Sequence, residues 1–305
     1  MPYKARIESD EIKIWRILNS RMHLTVDEQK NFLYLEKGFA GEVQFDLYTE
    51  KLQSKPLILN DLLLESNKSN LQIDSTLMYP KTIYLFEVKN FEGDHIYENG
   101  NFYTLSEKGK RREIKNPLDQ LKRIKYLFRQ LLQNLGYHYN VEGYVVFINP
   151  AFTLYQSPKD EPIIYLSQLP RFMKKLNELP CQLTKQDKAL ADKLVALHQT
   201  ESPYTRIRPY KYEELKKGPT CQTCHSSSVS VCGKKLVCDV CGCEEMVESA
   251  VLRGVGELQL LFPDMKITTN LVYDWCEGTG SKKRISRVLG KHFNITGVHQ
   301  WTYYE

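Results

Sequence analysis

The chain has 305 residues, 42% of them hydrophobic and 26% charged, with a formal net charge of +5; that is enough apolar material for one domain of ordinary size plus small modules. No window reaches the roughly 20 uninterrupted apolar residues of a bilayer span, and MPYKARIESDEIKIW is too charged for a signal-peptide core, so a cytoplasmic protein with no membrane partner is expected. Six of the eight cysteines fall between Cys221 and Cys243, a clustering that points to a metal before it points to disulfides.

In chain order, helical periodicity appears in IKIWRIL and in VDEQKNFLYLEKG, the latter with Thr25 as N-cap. GFAGEVQFDLYTEKL continues as an amphipathic helix with Phe39, Val43 and Leu47 predicted on one face. PLILNDLLLE, NLQIDSTLMY and KTIYLFEVKNF read as three strands separated by turn signals, and Asn99-Gly100 in HIYENGNFYTL marks a two-residue hairpin. NPLDQLKRIKYLFRQLLQNLG follows as a helix with Leu121, Ile124, Phe128, Leu131 and Leu135 at three-to-four spacing and Gly136 as its stop. VEGYVVFINP and EPIIYLSQL have the continuous apolar character of strands covered on both faces. Residues 183–199 form one more helix, and the charged, proline-containing TESPYTRIRPYKYEELKKGPT reads as a linker. This order predicts an α/β fold with a mixed sheet flanked by helices. Basic residues crowd Glu107–Lys115, Leu121–Arg129, Arg206–Lys217 and Ser281–Lys291; each alone reads as a solvated face, whereas four together favour a nucleic acid.

Within IYLFEVK, side chains alternate, so Ile83, Leu85, Glu87 and Lys89 share one face and Tyr84, Phe86 and Val88 the other. The charges fall at the strand's C-terminal end, where a sheet commonly opens into a ligand crevice. Asp74 ends a run that a short turn can place beside it. Two carboxylates at neighbouring strand ends suit Mg2+, which prefers oxygen ligands and shares its shell with water and substrate phosphate. Lys89 reaches the same space, where an ammonium can orient water and offset developing charge on a phosphoryl group. The plainer alternative is an i,i+2 ion pair on a solvated strand. Gln120 weighs against it, because it lines up with Ile124, Leu127 and Leu131 on the helix face that must pack on the sheet, and an amide entering an apolar face needs a hydrogen-bonding partner. Glu42 follows a Gly-x-x-Gly step that permits close backbone approach, although a surface glutamate is the ordinary reading of Glu42 alone.

Taken in order, GFAGE, QID, FEVKNFEG and NPLDQ resemble the nuclease-related domain (NERD) family, a branch of the restriction-endonuclease-like superfamily with a D…ExK signature, over roughly residues 34–150. The resemblance implies that fold, a metal held by Asp74, Glu87 and the backbone carbonyl of Val88, Lys89 as catalytic lysine, and Glu42 and Gln120 as accessory site residues. It also favours DNA as substrate and admits a homodimer. The segment after QID, STLMYPKT, is more polar than the family pattern and leaves the strand register open.

CQTC (Cys221–Cys224) and CDVC (Cys238–Cys241) are two Cys-x-x-Cys knuckles separated by thirteen residues. Cys221, Cys224, Cys238 and Cys241 can close a tetrahedral Zn2+ site of a zinc ribbon, structural because a shell of four thiolates leaves no open position. Cys232 is expected on the hairpin and Cys243 just past the second knuckle; Cys243 and His225 are the substitute ligands. TTNLVYDWCEGTGSKKRISRVLGKHFNITG reads as helix, turn, helix, with Ser281 as cap. Its apolar side holds Ile285, Val288, Leu289, His292 and Phe293, and its basic side Lys282, Lys283, Arg284, Arg287 and Lys291. This resembles a helix-turn-helix; a small helical cap with a solvated basic face is the alternative. His292 is expected as a core histidine, and Trp301, Tyr303 and Tyr304 as completing a core rather than stacking on bases.

These readings divide the chain into a helical segment (1–33), a nuclease domain (34–180), a helix and linker (181–218), a zinc ribbon (219–248) and a small helical module (249–305). The expected function is a Mg2+- or Mn2+-dependent nuclease. A protein that binds nucleic acid without cutting it is the rival, and a zinc-ribbon adaptor for another protein is a third reading.

Overall fold

The computed structural model describes residues 1–106, 109–200 and 207–305. Glu107, Lys108 and Arg206 of the expected basic runs, and most of TESPYTR, lie outside the described residues. The chain forms two compact units, one of Met1–Glu8 with Tyr34–Tyr204 and one of Ser9–Leu33 with Thr205–Glu305. Helix α1 (Asp10–Arg21) belongs to the second unit. Helix α2 (Val26–Thr49), started by a Thr25–Glu28 capping box, enters the first unit at Tyr34.

In the first unit the three predicted strands form as β1 (Leu57–Ser66), β2 (Ser69–Tyr79) and β3 (Thr82–Lys89). An excursion follows, β4 (Gly93–Glu98), β5 (Asn101–Leu105) and β6 (Arg111–Ile114); Asn99 and Gly100, at φ 50° and 84°, make the hairpin turn between β4 and β5. Helix α3 (Pro117–Asn134), capped by Asn116 Oδ1, leads to β7 (Asn140–Phe147), then β8 (Phe152–Tyr155), β9 (Ile163–Tyr165), α4 (Leu169–Asn177) and α5 (Lys185–Ala196). The main sheet runs β1-β2-β3-β7-β9, antiparallel through β3 and parallel from β3 onward; a second sheet runs β6-β5-β4-β8. It is therefore a mixed sheet flanked by helices. EPIIYLSQL yields only a three-residue strand before a 3-10 turn.

One face of the main sheet packs Leu62, Ile73, Ile83 and Leu85 against Ile124 and Phe128 of α3 and Leu190 of α5. The other packs Ile58, Leu77, Phe86 and Val88 against Phe45 of α2 and Leu169 of α4. The face expected for α2 is corrected here. Val43 and Leu47 are exposed at 39% and 56%, while Gly41, Phe45 and Thr49 are buried. Gly41 explains the rotation, since a Cβ there would lie 2.6 Å from Asn90 Cβ, whereas one on Gly38 would meet nothing within 4 Å.

The open register of the polar segment has a physical answer. Leu71 and Ile73 of β2 share a face with Met78, not with Leu77, and in β1 Leu62 and Leu64 share one with Leu59, not with Ile58. Both strands change sides at the step between Asn60–Ser75 and Leu62–Ile73, where Asp61 takes a left-handed φ of 53°. The polar residues beyond the switch are buried and satisfied in part by each other, with Ser75 Oγ donating to Asn60 Oδ1 at 2.9 Å.

The second unit contains a three-stranded sheet, β10 (Val229–Cys232), β11 (Lys235–Cys238) and β12 (Glu244–Met246), followed by α6 (Val247–Leu261), α7 (Thr269–Trp275), α8 (Lys282–His292) and the short pair β13 (Ile295–Thr296) and β14 (Tyr303–Tyr304). Ile285, Val288 and Leu289 of α8 are buried as predicted and Ser281 caps its start. His292 is not a core residue: it lies near the surface with Nε2 2.6 Å from Glu248 Oε1. Of the terminal aromatics Tyr304 is buried, but Trp301 is 73% exposed and completes no core. Among the described residues no helix is long and apolar enough to cross a membrane.

Candidate active site

The site is assembled where the sheet changes face. Asp74 has no partner in the register of β1 with β2 or of β2 with β3, which begins at Ser75. Freed from the ladder, its carboxylate turns along the end of β3, and Oδ2 accepts the Val88 N–H at 2.7 Å. Glu87 projects from the same strand and is 1% exposed. Lys89 Nζ stands 2.5 Å from Glu87 Oε1, while Glu87 Oε2 has no hydrogen-bond donor. From α3, whose Asn116 cap and Pro117 fix the first turn, Gln120 Oε1 accepts from Lys89 Nζ at 3.4 Å. The structure thus brings Asp74, Glu87, Val88, Lys89 and Gln120 to one strand end. Glu42, on α2, is engaged differently: its Oε2 accepts from Arg6 Nη1 at 2.5 Å.

Electrostatics follow from burial. Glu87 is pushed up to about 7, first by burial and then by Asp74, against the pull of Lys89. Burial also raises Asp74, opposed by Lys89, the Val88 N–H and Arg6. Glu42 is held well above the ordinary carboxylate range by burial and by Asp74, with Arg6 opposing. For Lys89 burial works against the ammonium, but Glu87 and Asp74 outweigh it and its pKa is raised.

A buried carboxylate with an undonated oxygen costs about 1–3 kcal/mol or more unless something cationic completes its shell. Lys89 supplies only part of that. Two neighbouring acids, one of them with an undonated oxygen, are the donor set a hard divalent cation takes, so these residues fit Mg2+ or Mn2+.

The second candidate centre is the ribbon. Sγ atoms of Cys221, Cys224, Cys238 and Cys241 all lie within 4.8 Å of one another, with Cys221–Cys241 at 3.6 Å and Cys224–Cys238 at 3.5 Å. Four thiolates around one Zn2+ have edges of about 3.8 Å. Cys232 ends β10 at the hairpin turn, and Cys243 lies beyond the second knuckle, where its sulfur accepts from Thr223 Oγ1 at 3.1 Å. His225 is exposed with a φ of 57°. Neither Cys243 nor His225 joins the four-sulfur group.

Arg6 escaped sequence reasoning. Its partners lie 36 to 68 residues away; the only local sign is the alternation Tyr3-Lys4-Ala5-Arg6-Ile7, which in the structure becomes an extended segment bridging Lys4 to Leu59 of β1.

The nuclease-related domain family matches residues 37–148. No curated protein matches the chain. Among solved structures, the small subunit of the heterodimeric restriction endonuclease R.BspD6I is similar at 13% identity and a TM-score of 0.24, over 61% of this chain and 87% of that one. With GFAGE, QID, FEVKNFEG and NPLDQ all falling between residues 37 and 148, that stretch of the chain is a nuclease-related (NERD) domain, carried together with a four-cysteine cluster compatible with a zinc ribbon.

Proposed function

We propose that the protein is a divalent-metal-dependent nuclease that hydrolyses phosphodiester bonds, with DNA the favoured substrate. The observation that carries this reading is Glu87, buried beside Asp74 with Lys89 at one oxygen and no donor at the other. Asp74, Glu87 and the Val88 carbonyl would hold Mg2+ or Mn2+. Such an ion, when bound, polarises a phosphoryl oxygen and makes hydroxide available from water near neutral pH. Lys89, fixed between Glu87 and Gln120, orients the attacking water and neutralises charge building on the phosphate. Gln120 keeps the ammonium on that line, and Glu42 borders the same site from α2.

In this reading Zn2+ in the ribbon is structural, and the residues 34–180 act as the catalytic domain. The exposed Lys283 and Arg287 of α8 add salt-dependent contacts to the phosphate backbone. A reducing cytoplasm keeps the four thiols available, and a homodimer would cut both strands of a duplex.

The test is incubation of plasmid and single-stranded DNA with Mg2+ or Mn2+, with and without chelator, for wild type and Glu87→Ala. Metal-dependent cutting that falls at least ~100-fold in the variant supports the site. Equal cutting by both proteins removes the assignment, and tight binding with no cutting by either favours a protein that binds nucleic acid without hydrolysing it.

A further inference from the structure

Arg6 lies outside the matched residues 37–148, yet its guanidinium reaches three acidic residues around the site. The segment that carries it is tied to β1: Tyr3 and Lys4 N–H donate to the Ile58 carbonyl at 2.8 and 3.1 Å, and Asn60 N–H to the Lys4 carbonyl at 3.0 Å. Lys4 Nζ adds bonds of 2.8 Å to the carbonyls of Asn60 and Asp61, on the strand opposite Asp74. The Arg6 side chain is 4% exposed. Its Nη1 donates to Glu42 Oε2 at 2.5 Å, Nε to Asp46 Oδ2 at 2.8 Å, and Nη2 both to Asp46 Oδ1 at 3.1 Å and to the main-chain carbonyl of Asp74 at 2.6 Å.

The last bond is the informative one. Asp74 sits at the step that both strand registers skip, so sheet pairing does not fix its main chain. The guanidinium supplies the missing donor and is itself fixed by a bidentate grip on Asp46 and by Glu42. We infer that Arg6 is the positioning residue of the active site: it holds the Asp74 main chain so that the carboxylate is presented to the divalent cation, and it anchors Glu42 beside it. The inference rests on the metal-dependent reading above. A planar fork with several donors is required for three partners at once, and a lysine retains the charge without the fork.

The direction of the effect separates positioning from simple charge. Removing a cation from an acidic cluster should tighten metal binding if charge alone mattered; loss of positioning weakens it. The experiment is Mn2+ titration by calorimetry of the zinc-loaded full chain, with plasmid cleavage measured across the same Mn2+ range, for wild type, Arg6→Lys, Arg6→Ala and Glu87→Ala. In Arg6→Lys the half-saturating Mn2+ concentration is expected to rise ~10-fold or more, the range seen when partners of metal ligands are removed. The rate at saturating Mn2+ falls as well, while KM for DNA stays at the wild-type value. Arg6→Ala is expected to bind Mn2+ more weakly still; should it not fold, Arg6→Lys, which keeps the charge, decides. A folded Arg6→Lys protein with wild-type Mn2+ affinity and rate overturns the inference, as does tighter Mn2+ binding in folded Arg6→Ala. Mn2+ binding lost in Glu87→Ala but unchanged in Arg6→Lys sinks only the role of Arg6, whereas equal binding by wild type and Glu87→Ala sinks the metal reading and the role of Arg6 with it.

Discussion

The two candidate metal centres are built in opposite ways. In the ribbon all four candidate ligands come from two knuckles within Cys221–Cys241, close together in sequence and set on a three-stranded sheet of short strands. The acidic site draws on Arg6, Glu42, Asp74, Glu87, Lys89 and Gln120, and a large hydrophobic core fixes it before any ion arrives. Metal should therefore be part of folding in the first and a late guest in the second.

The strongest way to break this contrast is Cys238→Ser. Structural zinc contributes on the order of 10 kcal/mol to such modules, so the variant should lose its zinc and the amide protection of β10–β12 together. Mn2+ binding at the acidic site should persist. Retained ribbon protection in a zinc-free variant would show that the small sheet stands by itself.

A second measurement sharpens the other half. Metal-free Glu87 keeps its proton to about 7, against roughly 4.3 in an unfolded chain. Because the folded value is the raised one, its proton-linked contribution to stability is complete below the unfolded value and is lost as pH rises through about 7. Cation binding needs the carboxylate and runs the other way. The rise in melting temperature caused by Mn2+ should thus be small at pH 6 and grow toward pH 8, and in Glu87→Gln this growth should vanish. A wild-type response that is flat over that interval contradicts the assignment of Glu87.

The smallest effect concerns the two glycines of GFAG. Gly41→Ala would press a methyl against Asn90 Cβ at 2.6 Å and Ile148 Cγ2 at 3.1 Å; overpacking of about 1–3 kcal/mol exceeds the helix-propensity gain of at most ~1 kcal/mol. Gly38→Ala has open space around it and should be neutral or stabilising. Equal melting temperatures for the two variants would mean that α2 does not need its close approach to the end of β3.

How much of this was legible in sequence follows the same division. Strands β1 to β3, the Asn99-Gly100 hairpin, the Gly136 stop and the knuckles are local patterns, and local patterns could be read directly. Helix α2 could not, because Phe39/Val43/Leu47 and Gly41/Phe45/Thr49 both recur at helical spacing and only residues distant in sequence, Asn90 and Ile148 among them, select between them. The convergence of Asp74, Glu87, Lys89 and Gln120 was visible as motif order, but the side switch at Asp61 and Asp74 that frees the Asp74 carboxylate was not, since a left-handed aspartate leaves no compositional trace. His292 and Trp301 were read as core from apolar neighbours, and Glu248, which draws His292 to the surface, lies 44 residues earlier.

The N-terminal segment has a consequence for biosynthesis and for handling the protein. Residues 3–6 are translated before any of their partners, and the intervening residues 9–33 belong to the other unit, so this short stretch waits for α2 and β1, and Arg6 completes its bonds only when Asp74 has been made. If Arg6 has the role inferred above, trimming this stretch, or fusing an affinity tag tightly against it, should weaken Mn2+ binding at Asp74, 68 positions downstream.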